Sequence, residues 1–321
     1  MKGSSRGIAL LIILWVMTIL TVMVFSFSVM TRAESYGALA FKEQTEKKLL
    51  AEAGTERGIT EIIYRSVNRN QTMALAGMEA WRPDGTAHAF DTGKGGYIVR
   101  MIDESGKISL NGLTDSSGIV LKNLLIGQGT SSENADIIVD SILDWRDGDD
   151  LHRLGGAETD YYGSLEKPYT ARNADFETLE ELILVRGVTP EILYGTEGTK
   201  GIMPFLTIYG KAGQVNINAA PKEVLAALPG LDTAMVERII TFRGPSEIRG
   251  DAAVKDLLGA AYPLIAPYAN ADPGASTVFT IEATGYTDDV KKGYSIRATI
   301  TLERSHQFRY VYYKSPAGFV Q

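Results

Sequence analysis

The sequence predicts an α+β fold: one very long N-terminal helix packed on an antiparallel sheet, with a large all-helical insertion interrupting the sheet. Three observations carry this. Ile8–Met30 contains no charged residue, and an intermittently apolar, helix-compatible stretch follows it to about Val67. Strand-like patterns occur near residue 100 and again beyond residue 277. The stretch between them has little strand signal and several helical runs.

Composition narrows the function classes. The chain has 321 residues, a formal net charge of −7 and no cysteine. A length of this order allows one large or two to three small domains. Without cysteine there can be no disulfide, Cys-ligated zinc, iron–sulfur cluster or thiol nucleophile. The acidic balance argues against a nucleic-acid binder, which normally presents a basic face.

The apolar stretch IALLIILWVMTILTVMVFSFSVM holds 23 residues. As a helix it is roughly 35 Å long, enough to cross a hydrocarbon core of about 30 Å. Lys2 and Arg6 precede it, and the positive-inside rule then keeps the N-terminus cytoplasmic. A secretory signal peptide needs a shorter apolar run and a small-residue cleavage site, which Ser26-Phe27-Ser28 imitates weakly. A plain signal anchor fits the length. The junction Arg6-Gly7-Ile8-Ala9-Leu10-Leu11 supports a third reading, because a short basic leader ending in Gly directly before the helix resembles a prepilin leader. That resemblance implies cleavage between Gly7 and Ile8 by a prepilin peptidase, with N-methylation of Ile8. The fifth mature position is then Ile12 rather than the Glu most pilin-like proteins carry. A carboxylate in lipid is costly unless paired, so a subunit with no neighbour beyond it has no need of one.

Beyond Arg32 the residues Phe41, Leu49, Leu50, Ala53, Ile59, Ile62 and Ile63 form an intermittent apolar face, so one helix runs from lipid into an amphipathic spine ending near Val67. Gly54 and Gly58 weaken the helical signal locally. Residues 68–95 read as a loop, Gly96–Asp103 as a strand, Glu104–Gly106 as a turn and Lys107–Leu110 as a second strand closed by Asn111. A helix carrying Ile119, Leu121, Leu124 and Leu125 comes next, then helical runs at 133–146 and 176–186 around an irregular acidic loop. Val215-Asn216-Ile217-Asn218 and its succeeding helix echo Ile108-Ser109-Leu110-Asn111 and its helix, a weak internal repeat. Strands are expected at 277–286, 293–303 and 308–313. The expected layout is leader 1–7, membrane helix 8–30, spine 31–67, first α+β part 68–113, helical insertion 114–272 and C-terminal strands 273–321.

The densest chemistry-bearing cluster is Asp144, Asp147, Asp149, Asp150, Glu158 and Asp160. Calcium takes six to eight oxygen ligands, and Asp residues alternating with Gly on an irregular loop supply them. The twelve-residue EF-hand pattern is absent, and a solvated acidic loop is the competing reading. Trp145, Tyr161 and Tyr162 among the acids favour a loop folded against something. Ala226-Ala227-Leu228-Pro229-Gly230-Leu231 resembles a helix-hairpin-helix, with Asp232 where a second glycine is usual. That charge repels phosphate, and no basic patch surrounds Arg238 and Arg243, so the hairpin reads as packing. His88, His152 and His306 are isolated, and Gly3-Ser4-Ser5-Arg6-Gly7 matches a hydrolase pattern only by chance, without a preceding strand.

Two stretches carry a wider resemblance. The first is Ile142-Leu143-Asp144-Trp145-Arg146-Asp147-Gly148-Asp149-Asp150, continuing through Gly155-Gly156-Ala157-Glu158, Asp160-Tyr161-Tyr162, Pro168-Tyr169, Thr178–Leu182 and Val185–Pro190. The second is Val215–Pro221 with Glu223-Val224-Leu225 and Leu228–Leu231. In this order, behind a prepilin-like N-terminus, they resemble the GspK-type minor pseudopilins of type II secretion systems. The resemblance implies a pseudopilin fold whose helical insertion contains a helix-hairpin-helix or SAM-like unit, and no enzymatic activity. It implies calcium (Ca2+) bound by Asp147, Asp149, Glu158 and Asp160 first, with Asp144 and Asp150 as further ligands. The implied partners are other minor pseudopilins, the major pseudopilin through the N-terminal helix, the prepilin peptidase and the inner membrane, with no nucleic acid. The implied place is the pseudopilus tip, the bulk of the chain being periplasmic. A membrane-anchored DNA-uptake protein and a signal-anchored periplasmic enzyme are the alternatives.

Overall fold

The computed structural model describes residues 5–68, 81–211, 213–244, 247–272, 276–303 and 307–318. Leader residues 1–4, residues 69–80 of the expected loop, and His306 lie outside the described residues.

Helix α1 (Ser5–Val67) is 63 residues long, about 95 Å at 1.5 Å per residue. Every residue from Ile8 to Gln44 is exposed, and packing begins only at Thr45. In the apolar part Thr18 and Thr21 turn their hydroxyls back onto the carbonyls of Trp15 and Met17, each at 2.7 Å. Both hydroxyls are thereby satisfied without water. Nearer the head, pairs such as Lys42–Glu46, Glu43–Lys47 and Lys48–Glu52 at four-residue spacing support the helix.

The last turns of α1 lie on one face of a five-stranded antiparallel sheet with order β1-β2-β9-β10-β11. Its strands are β1 (Asp84–Asp91), β2 (Gly96–Asp103), β9 (Val278–Tyr286), β10 (Tyr294–Leu302) and β11 (Phe308–Lys314). Ile59 and Ile62 of the helix pack with Val99, Met101, Ile281 and Ile300 of the sheet. Glycines set the helix–sheet distance. A Cβ on Gly285 would lie 2.1 Å from Lys47 O and 2.4 Å from Ala51 N. One on Gly58 would lie 2.9 Å from Ile281 Cγ2, and one on Gly54 3.0 Å from Val99 Cγ2. The glycines that weaken the helical signal of the spine are therefore the positions where it touches the sheet.

Strand β1 corrects one expectation, since residues 84–91 read as part of a loop. It is an edge strand with mostly exposed side chains, so it needs no apolar alternation and leaves no period-two signal. Pairing with β2, from Asp91↔Gly96 to Asp84↔Ile102, holds it in place.

Between β2 and β9 lies the insertion, with its own core. In chain order it contains β3 (Ile108–Ser109), α2 (Gly118–Gly127), α3 (Ser132–Arg146), α4 (Thr159–Gly163), α5 (Pro190–Tyr194), β4 (Gly195–Thr196), β5 (Thr199–Lys200), β6 (Leu206–Thr207) and β7 (Val215–Asn216). Next come α6 (Lys222–Ala227), α7 (Thr233–Arg243), α8 (Gly250–Leu258), α9 (Tyr262–Ile265) and β8 (Ala269–Asn270). The helical body thus also carries two-residue strand pairs, β3 with β6, β4 with β5 and β7 with β8. The helical run expected at 176–186 is a 3-10 segment, Leu179–Leu184. The strand expected at 107–110 pairs in parallel with β6, outside the main sheet.

The weak repeat in the sequence is a structural one. β3 pairs in parallel with β6 and β7 in parallel with β8. Two residues after β3, the Asn111 amide accepts from Phe176 N (2.8 Å) and donates to Phe176 O (3.0 Å). Two residues after β7, the Asn218 amide accepts from Ile248 N (2.8 Å) and donates to Ile248 O (2.9 Å). Each asparagine thus pairs with a distant backbone as a strand residue would. Arg146, ending α3, donates to the carbonyls of Leu110 and Leu113. Arg243, ending α7, donates to those of Ile217 and Ala220, at the same three-residue spacing. The two helix pairs α2–α3 and α6–α7 therefore sit on equivalent anchors, and Asn123 Nδ2 joins them at Ala227 O (3.0 Å).

A buried polar junction links insertion and sheet. Asn216 Nδ2 donates to Asp103 Oδ2 (3.3 Å), and Ser276 Oγ donates to the same carboxylate. Lys107 Nζ lies 2.9 Å from Glu104, both nearly inaccessible, and Thr280 donates to Glu104 at 2.6 Å.

Replacing Gly285 with Val is expected to force α1 off the sheet and lower unfolding stability by about 1–3 kcal/mol or more, read from the shift in denaturation midpoint. Gly127→Ala, whose Cβ meets nothing within 4 Å, serves as the neutral control.

Candidate metal centre

The acidic residues are placed by the end of α3 and the irregular segment after it. Helix α3 is capped at its start by Ser131, which accepts from Asn134 N (3.3 Å), and at its end by Asp147. Its last turn buries Trp145, whose Nε1 donates to Glu181 Oε1 at 2.9 Å. Trp145 meets Tyr162 edge-on at 5.0 Å, and Tyr162 stacks on Tyr169 at 5.2 Å. Arg186 sits over the Tyr161 ring at 4.7 Å and donates to Gly156 O at 2.9 Å. These contacts fold the loop back against the helix.

The six acids divide by environment. Asp147, Asp149 and Glu158 each place a carboxylate oxygen within 4.8 Å of the others. Asp144 lies behind them, fully buried, and accepts from Arg153 Nη1 (2.7 Å) and Arg153 N (3.1 Å). Asp160 is turned outward to His152, 3.0 Å away, and Asp150 is exposed at the rim. Arg153 also reaches Asp115 (2.9 Å) and Asp147 Oδ2 (2.6 Å). Gly156 is required by space, since a Cβ there would lie 1.7 Å from Asp144 Oδ2.

Glu158 is the group left over. It is only 1% exposed, and neither carboxylate oxygen has a hydrogen-bond partner among the described residues. Asp147 Oδ1 is likewise buried and unpartnered. Burial, reinforced by the charges of Asp144, Asp147 and Asp150, pushes the Glu158 carboxyl from its ordinary 4.5 up to about 7. Burial also pushes Asp144 up, against the pull of Arg153. The unpartnered Glu158 carboxylate and the free Oδ1 of Asp147, beside the exposed Asp149, form an oxygen-only donor set, the kind a hard divalent cation such as calcium takes. Thiols and imidazoles are absent from the set, so it does not suit a softer metal. Among the described residues, Asp147, Asp149 and Glu158 would hold the ion, with Arg153 already neutralising Asp144 behind it.

The contacts of Arg153, Gly156 and Arg186 at this site escaped sequence reasoning, although Gly156 and Arg186 lie in the stretches that carry the resemblance. An Arg in an acidic run reads as a solvated counter-charge, and only folding shows that it touches three acids. The helix-hairpin-helix stretch is accounted for by packing. Gly230 has φ +84° with Leu264 against it, and Asp232 caps α7 through Met235 N at 2.8 Å. Arg238 donates to Leu257 O at 3.1 Å and Arg243 to buried carbonyls, so both cations of the hairpin bind backbone.

Residues 106–209, from the turn after β2 to just past β6, match the family model of the type II secretion system (T2SS), protein K. Type II secretion system protein K of Pseudomonas aeruginosa is 27% identical over 262 residues, covering 76% of this chain and 74% of that protein. A chain in the crystal structure of the GspK-GspI-GspJ complex from the enterotoxigenic Escherichia coli type 2 secretion system superposes with a TM-score of 0.61 at 15% identity. The match covers 88% of this chain and 99% of that one. The resemblance to protein K and the predicted fold class are borne out by these matches.

Calcium is expected to raise the unfolding temperature of the metal-free protein and Glu158→Gln to remove most of that rise. Without calcium, the folded chain keeps the Glu158 proton between pH 4.5 and about 7 while the unfolded chain has released it. Stability therefore falls as pH rises through this window. Glu158→Gln is expected to stabilise the calcium-free protein at pH above 7 by about 1–3 kcal/mol, and wild-type calcium affinity to rise across the same window. Thermal unfolding with and without chelator on both sides of the window, for wild type and Glu158→Gln, measures each of these.

Proposed function

We propose that this chain is a minor pseudopilin of the protein K kind, seated at the tip of a type II secretion pseudopilus. There it initiates and caps assembly with minor pseudopilins of the I and J kinds. The observation that carries this reading is the division of α1. Its first part, charge-free from Ile8 to Met30, is wholly exposed, and its last part is buried under a sheet that bears a bulky insertion. A helix of that composition and length spans a membrane before assembly, and packs against neighbouring helices once extracted.

Lys2 and Arg6 favour a cytoplasmic N-terminus and a periplasmic head in the inner membrane. Ile12 leaves no carboxylate in lipid to be paired by a further subunit. The bulky insertion, anchored to the sheet through Asp103, Asn216 and Ser276, would stop further subunits from adding above it. A calcium ion held by Asp147, Asp149 and Glu158 acts structurally, fixing the loop after α3. The reading is of an assembly protein without catalysis.

Intact mass of the membrane-extracted protein tests the class. Loss of residues 1–7 with gain of one methyl group, only when the prepilin peptidase is present, is the expected result; an uncut chain would leave a plain signal anchor. Ile12→Glu is expected to let the chain take positions along the fibre, visible by immunogold labelling; a variant that changes neither assembly nor placement would count against the argument from Ile12.

A further inference from the structure

We infer that the free edge of β11, with its tyrosines, is the docking surface for a carboxylate-bearing edge of a neighbouring minor pseudopilin; this rests on the assembly reading above. β11 is the last strand in the sheet order, and among the described residues no strand pairs with its outer side. Its seven residues, Phe-Arg-Tyr-Val-Tyr-Tyr-Lys, carry two cations and no acid, in a chain of net charge −7. Tyr310, Val311, Tyr312 and Tyr313 are 39%, 36%, 42% and 49% exposed.

Edge strands are normally guarded by charge, a bulge or short length against unwanted pairing. Arg309, Lys314 and the bulge opposite Thr299/Ile300 provide that guard. Guarding does not call for three half-exposed tyrosines, whose rigid amphipathic rings are the side chains enriched at protein interfaces. The opposite edge of the same sheet, β1, carries Asp84 and Asp91 and no Lys or Arg. The two edges thus differ in sign, which gives side-by-side contact of such sheets a direction, the heterologous arrangement of fibres. The β11 edge is also continuous with the spine, because Tyr310 Oη lies 3.4 Å from Glu56 Oε1 of α1. Glu56 is itself exposed, so the β11 edge and this flank of α1 form one continuous surface. A like-charged or neutral edge would leave Arg309 and Lys314 unpaired in the contact, so an acidic partner edge is required. The partner is a different chain, since identical copies joined this way would not close and would build a fibre of this chain alone.

The test uses the full-length chain in detergent, with the I-type and J-type minor pseudopilins of its own secretion system as probes. Affinity is measured at about 50 and about 300 mM salt. Wild type is expected to bind at least one partner, more weakly at high salt. The double variant Arg309→Glu/Lys314→Glu should lose roughly tenfold or more, and Tyr313→Ala a comparable amount, with unfolding temperatures unchanged. Wild-type binding matched by the variants overturns this inference and leaves the assembly reading standing. No wild-type binding to either partner overturns both. Loss of self-association in the variants, with partner binding intact, would assign the edge to a second copy and overturn the proposal.

Discussion

The architecture depends on how closely α1 can approach the sheet. A helix that begins in lipid and ends in a protein core has to change its packing partner along its length without breaking. It does so by presenting almost no side chain at the contact: Gly54 and Gly58 on the helix and Gly285 on β9 leave backbone against backbone and methyl groups. Ile59 and Ile62 then reach into the sheet on either side of that seam. With the distance fixed, β2 and β9 become neighbours, although more than 170 residues separate their facing ends, and the insertion leaves and re-enters the sheet at adjacent strands. Its junction there is polar and buried, made of Asp103, Asn216 and Ser276, where an unpaired group would be costly.

The insertion solves the same structural problem twice. Asn111 and Asn218 each lend a side-chain amide to the backbone of a distant segment, and Arg146 and Arg243 each close two carbonyls at the end of a helix. The units differ in the connection that leaves the arginine. In the second, four residues separate Arg243 from Ile248; in the first, 29 residues separate Arg146 from Phe176. The acidic loop occupies that longer connection. The second unit shows that the scaffold closes without such a loop, so the acids are an addition to it. Their arrangement is electrostatically unfinished, with Arg153 serving Asp144, Asp115 and one oxygen of Asp147, and nothing among the described residues serving Glu158. A bound cation would resolve that imbalance.

Local sequence sufficed for the charge-free helix, the α+β class, the main strands beyond β1 and the acidic cluster. Each rests on a local property: length of an apolar run, period of apolar residues, or density of one residue type. The resemblance to protein K was legible for the same reason, through motifs contiguous in the chain. Everything else needed the packed chain. β1 was invisible because an exposed edge strand needs no apolar alternation. Gly54 and Gly58 read as helix weaknesses because the sheet they touch lies far along the chain. Which acids converge was undecidable from spacing, since Asp160 is only two residues from Glu158 and yet faces His152. Arg153 could be assigned only once folding had brought Asp115, Asp144 and Asp147 to one guanidinium. Helices and strands arise from local periodicity; pairing between distant side chains arises from how those elements pack, and the packing is not written in any one segment.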